Sequence, residues 1–98
     1  MLTHDEAHRW AREHLERIGY LGELTLVMQP QLSTEYEPAW AVRFDSREHL
    51  ETGDVTKAPF TRVLIVPKDG SEPYFPPTHQ PVAEFIEQIS NEVPHGRP

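Results

Sequence analysis

Val63-Leu64-Ile65-Val66-Pro67-Lys68-Asp69-Gly70 decides the fold class of this chain. Four apolar residues, three of them β-branched, run into a proline and then an Asp-Gly pair. β-Branched side chains suit a pleated, packed surface, and Asp and Gly accept the positive φ of tight primed turns. The stretch reads as a buried strand that leaves through a hairpin turn. It carries no catalytic group. The strand is expected over residues 60–66, with a short returning strand over 72–75 that Pro76-Pro77 ends.

Upstream, residues 39–46 alternate cleanly. Trp40, Val42 and Phe44 share one face, and Ala41, Arg43 and Asp45 the other, as in a half-buried antiparallel strand. Residues 23–29 form a further expected strand, with Leu24, Leu26 and Met28 alternating against Thr25 and Val27. Between these two, residues 30–38 are polar with proline at both ends and read as a loop. Residues 47–59 are a charged excursion containing Gly53-Asp54.

Helices are expected at both ends. Over residues 3–18, Ala7, Trp10, Ala11, Leu15 and Ile18 recur on one face. Thr3 and Glu6 have capping-box spacing, and Gly19 stands at the C-cap position. Residues 81–90 predict a short helix with Val82, Phe85, Ile86 and Ile89 on one face and Pro81 in its first turn. The links between strands are too short for crossover helices, which makes the sheet antiparallel. The expected fold is α+β: an N-terminal helix, an antiparallel sheet of three to four strands, and a short C-terminal helix. Residues 1–92 form a single domain, with 93–98 as a flexible tail.

Composition narrows the function classes. The chain has 98 residues, of which 37% are hydrophobic and 26% charged. That suits one domain with one modest core. No apolar run approaches the roughly 20 residues of a bilayer span. Met1-Leu2-Thr3-His4-Asp5-Glu6 lacks the basic and apolar regions of a signal peptide. Cysteine is absent, so nothing demands an oxidising compartment, and a cytoplasmic setting is expected. The formal net charge is −7, with 16 carboxylate side chains against 9 basic ones. The basic residues are scattered, which argues against nucleic acid as a partner. An acidic surface instead favours solubility and steers basic protein partners.

The candidate chemistries are weak. His4 and His8 are four apart on a helix, but the zinc-protease motif needs Glu directly after the first His, and Asp5 stands there. A third ligand is not marked by spacing. Ser33, Ser46, Ser71 and Ser90 lack a nucleophile elbow, and there is no phosphate-binding glycine loop. The reading is of a non-enzyme without a metal or cofactor. Trp10, Trp40 and Phe44 fall on apolar faces and belong to the core. Tyr36 stands among Glu35 and Glu37 in a polar loop, where an aromatic residue suits an interface anchor. Glu48, Glu51 and Asp54 supply further carboxylates beside Gly53. These six residues are the candidate partner-binding set.

Three segments together resemble the immunity protein 35 family, also called the YrhB domain family. They are Trp40-Ala41-Val42-Arg43-Phe44, the strand exit through Leu50-Glu51-Thr52-Gly53-Asp54, and the 63–70 strand and turn followed by Thr78-His79-Gln80-Pro81-Val82-Ala83-Glu84-Phe85-Ile86. The last has the family's Thr-x-x-Pro start to a helix. Two positions depart from the family pattern. Lys57-Ala58-Pro59-Phe60 keeps a proline but lacks the usual glycine, and Pro76-Pro77 replaces the glycine before Thr78. The resemblance implies a small cytosolic protein that neutralises a cognate polymorphic toxin by direct binding. The alternative it implies is a chaperone-like stress protein without a dedicated partner.

Overall fold

The structure is a computed structural model that describes residues 1–77 and 81–92, without the side chains of 89–92. Thr78, His79 and Gln80, the side chain of Ile89, and residues 93–98 lie outside the described residues. Helix α1 spans His4–Ile18, and its capping box forms as the sequence predicts. The Thr3 hydroxyl accepts from the Glu6 amide at 3.2 Å, while the Glu6 carboxylate accepts from the Thr3 amide at 2.9 Å. Gly19 closes the helix at φ 63°, a conformation that strains residues bearing a Cβ.

Strand β1 is Leu26–Met28, β2 is Thr34–Glu35, β3 is Ala39–Ser46 and β4 is Val63–Pro67. All pair antiparallel with β3. On one edge of β3, β1 pairs with its C-terminal end and β2 with its N-terminal end. A 3₁₀ turn at Pro30–Leu32 lies between them. On the other edge, β4 runs from Val63 opposite Arg43 to Pro67 opposite Ala39. The segment read as a loop over 30–38 thus contains a two-residue strand, closed by a tight turn in which the Tyr36 amide donates to the Ala39 carbonyl at 2.9 Å.

Helix α1 covers one face of this sheet. Ala7, Ala11 and Leu15 pack on Trp40, Val42, Phe44, Leu64 and Val66. Helix α3, Val82–Glu92, covers the other face, where Ile86 joins Ala39, Ala41 and Ile65. Two layers of helix around one sheet explain why β3 is buried almost throughout. Its alternation separates two apolar faces, not a core face from a wet one. The alanines at 39 and 41 sit where the short α3 packs. Ile18 lies past the end of the buried stripe and is 48% exposed.

Two expectations along the 60–75 stretch are corrected. The strand begins at Val63, not Phe60, and Phe60 is exposed. The return after Gly70 is a single bridge, in which Tyr74 exchanges both backbone bonds with Ile65. The turn itself needs positive φ only at Gly70, at 86°. The Gly70 amide donates to the Pro67 carbonyl, and the Asp69 carboxylate accepts from the Ser71 amide and hydroxyl. Helix α2, Arg47–Thr52, and a 3₁₀ turn at Val55–Lys57 occupy the charged excursion.

Candidate functional site

Residues 47–62 leave the sheet at the end of β3 and return at the start of β4. The end of β3 holds them in place. Ser46 is fully buried. Its hydroxyl accepts from the His49 amide at 3.0 Å, capping α2, and donates to the Lys57 carbonyl at 2.6 Å. Asp45 is 2% exposed. It accepts from the Ser46 amide at 2.7 Å and faces His49 Nδ1 at 3.1 Å from both oxygens and Arg62 at 3.5 Å. A buried carboxylate requires partners of this kind. It also binds the far side of the excursion to its near side.

This cluster contains Ser, His and Asp but is not built for nucleophilic chemistry. The Ser46 hydroxyl hydrogen is committed to a backbone carbonyl, and its oxygen meets the His49 amide, not the imidazole. A nucleophile needs a base on its own hydroxyl.

Further hydrogen bonds brace the segment. Both Glu48 carboxylate oxygens are used by Thr25, at 2.9 Å from its amide and 3.0 Å from its hydroxyl. The amide bond is the main reason this carboxylate titrates below its ordinary range. Asp54 accepts from the Thr56 amide and hydroxyl, which lowers its pKa as well. Tyr20 fixes the return: its hydroxyl donates to the Thr61 carbonyl at 3.2 Å and accepts from the Thr61 amide at 2.8 Å. One residue later the Arg62 carbonyl accepts from the Phe44 amide.

Phe60 projects from this clamped backbone and is 87% exposed. Val55 is 76% exposed and Leu50 48%. An exposed Phe on a fixed chain is an arrangement that burial alone does not favour. Around these side chains in the sequence stand Glu51, Asp54, Arg47 and Lys57, all exposed. Arg47 and Glu51 pair at 3.1 Å.

The six sequence candidates fall into two groups at opposite ends of β3, about 23 Å apart at about 3.3 Å per residue. Glu48, Glu51 and Asp54 belong to the excursion just described. Glu35, Tyr36 and Glu37 belong to the turn before β3. There Glu35 pairs with Lys68 at 2.6 Å, and the Lys68 ammonium lies 5.4 Å from the Trp40 ring centroid. Tyr36 packs against the α3 side of the sheet. Glu37 is exposed. The most exposed aromatic side chain among the described residues is therefore Phe60. Sequence reading placed it in the strand, although Thr61-Arg62 interrupts the apolar run between it and Val63.

His4 and His8 stack at 4.3 Å between ring centroids. Both ring nitrogens of His8 are engaged: Nδ1 lies 2.7 Å from the His4 carbonyl and Nε2 2.7 Å from the Ser33 hydroxyl. Donation from Nδ1 leaves Nε2 to accept from Ser33. Ser33 in turn accepts from the Arg43 amide. The pair ties α1 to the turn between β1 and β2. Among the described residues no three His, Asp or Glu side chains are placed to hold one ion. No described helix is long and apolar enough to cross a membrane.

The family model for immunity protein 35 matches residues 5–88. No curated protein and no solved structure matches the chain.

Proposed function

This chain belongs to the immunity protein 35 family, and from that premise we propose that it neutralises a polymorphic toxin by binding it directly, through the surface formed by residues 47–62. The observation that carries the reading is Phe60. It is a large aromatic side chain, 87% exposed, immediately before Thr61 and Arg62, whose backbone Tyr20 and Phe44 hold. Aromatic anchors contribute most of the energy of many interfaces, and a pre-ordered backbone loses little freedom on binding. Val55 and Leu50 extend the apolar centre, with Glu51 and Asp54 as a carboxylate rim. A net charge of −7 suits a toxin with a basic active-site cleft and speeds encounter with it.

The protein acts by occlusion and performs no reaction in this reading. A standard-sized interface covers about 800 Å² on each partner. Against a total surface of 6132 Å², such a contact extends beyond Phe60 to α2 and the 3₁₀ turn. The protein works in the cytoplasm, where its producer needs protection.

The test is a binding titration against the toxin encoded beside its gene. Wild-type protein binds and blocks that toxin. Phe60→Ala weakens binding at least about thirtyfold, equivalent to about 2 kcal/mol, with its thermal melt unchanged. Absence of binding by the wild-type protein sinks the proposal. Suppression of the aggregation of unrelated clients, with no effect on the toxin, points instead to the chaperone-like alternative.

A further inference from the structure

A second site lies on the α3 face of the sheet, beside the middle of β3 and the start of β4. A cavity of about 150 Å³ opens there. Its apolar wall includes Leu32, Val63 and Val82, and its polar groups come from Arg43, Thr34 and Tyr36. Strand register explains the convergence. Thr34 stands opposite Ala41, and Arg43 opposite Val63. Paired residues share a face, and so do residues two apart along a strand.

Arg43 is unusual in this molecule. Its Nε is buried and has no hydrogen-bond partner among the described residues. Its guanidinium forms none of the ion pairs that Arg12, Arg17, Arg47 and Arg62 form. This is an acidic chain, with 16 carboxylate side chains, yet none of the described ones reaches Arg43. A buried donor without a partner is unfavourable, and native structures seldom keep one without reason. The Thr34 and Tyr36 hydroxyls also have no hydrogen-bond partner among the described residues. An apolar hollow with a few converging donors is the ordinary form of a ligand site.

We propose that this cavity binds a carboxylate carried on a short aliphatic stem, with the guanidinium of Arg43 taking both oxygens and Tyr36 and Thr34 donating beside it. Planar two-point donation is what a guanidinium supplies and an ammonium does not. The volume sets the stem. A cavity of about 150 Å³ admits benzene, which has about as many heavy atoms as butyrate. A free short-chain acid and a glutamate side chain of a protein partner share this chemistry. The site shares no lining residue with the 47–62 surface, so its failure leaves the toxin-binding reading intact.

The test is a nuclear magnetic resonance titration of the full chain, following the Arg43 Nε–H signal. The probes are butyrate, the blocked amino acid N-acetylglutamate methylamide, and butanol as the uncharged control. The expected result is a saturable shift of that signal with at least one carboxylate and at least tenfold weaker binding of butanol. Whichever carboxylate binds more tightly identifies the source as a free acid or a partner side chain. Followed instead on the backbone amides of Thr34 and Val63, Arg43→Met abolishes butyrate binding and Arg43→Lys weakens it. A signal that stays still with both carboxylates overturns the proposal, as does equal binding of butanol and butyrate. Because the signal is read in the wild-type protein, the outcome stands even if the variants do not fold.

Discussion

Asp45 ties together parts of the chain that the sequence keeps apart. Its carboxylate meets the Ser46 amide, His49 on α2 and Arg62 before β4. Replacing it with alanine leaves a buried amide and two side chains without their acceptor. We expect Asp45→Ala to lower unfolding free energy by about 2–3 kcal/mol, measured by denaturant titration, and to loosen the segment that carries Phe60. Phe60→Ala is its converse, with no loss of stability and a large loss of toxin binding. Glu48 gives the molecule a pH response. Its carboxylate is held below the ordinary range, chiefly by the Thr25 amide. Glu6, Asp54 and Asp69 are likewise depressed, by Thr3, Thr56 and Ser71. Between the depressed and ordinary values the folded protein binds fewer protons than the unfolded chain, so stability rises with pH there. The contribution is complete above the ordinary carboxylate values of about 4 and is lost as pH falls through that range toward the depressed ones. Melting temperatures measured across that window decline on acidification, and Glu48→Gln makes the decline shallower.

At the scale of elements, α2 shows how a short helix is set by its ends. Ser46 caps it at the start, and Gly53 ends it at φ 72°. A Cβ on Gly53 would meet no atom within 4 Å, so the effect of Gly53→Ala is conformational alone, about 1–2 kcal/mol. Thermal unfolding measures it, and circular dichroism reports the fraying of α2. This helix was not read from the sequence because its six residues have no buried side chain and hence no apolar period. The two-residue β2 escaped for a related reason: a strand that short has no alternation to display. By contrast, α1 was legible from cap to cap, since its capping box, apolar stripe and terminal glycine all agree. Strand β3 was legible in its bounds but not in its burial. Alternation marks two faces, and only the placement of α3 shows that both are covered.

For the whole molecule, stability rests on one thin sheet with a helix on each side. Phe44 is fully buried on the α1 side, edge-on to Tyr20 at 5.9 Å. Phe44→Ala removes about 3–5 kcal/mol. A domain of this size holds about 5–15 kcal/mol in all, so this variant is expected to lose a large fraction of its stability, measured by chemical denaturation. Tyr20 also positions the Phe60 segment, which couples this side of the core to the proposed binding surface. Charge acts at the same scale. On the proposed function, raising salt is expected to slow association with the toxin and to change the dissociation rate little, as stopped-flow binding would measure.

The sequence by itself determined the α+β class, the order of the two outer helices and the three longer strands, the ends of α1 and the family. These follow from period, caps and turn residues, which act between near neighbours along the chain. Tertiary structure decided which faces are covered and which side chains remain exposed. It buried Asp45 and Ser46 beneath the excursion and used both oxygens of Glu48 to brace Thr25. It turned Tyr36 toward α3 and left Phe60 facing water. Those outcomes depend on residues distant in sequence meeting at the ends of β3, and local pattern carries no record of such meetings. Leu64, Ile65 and Val66 are buried as their composition predicts. The proposed working surface is the return that leads into them.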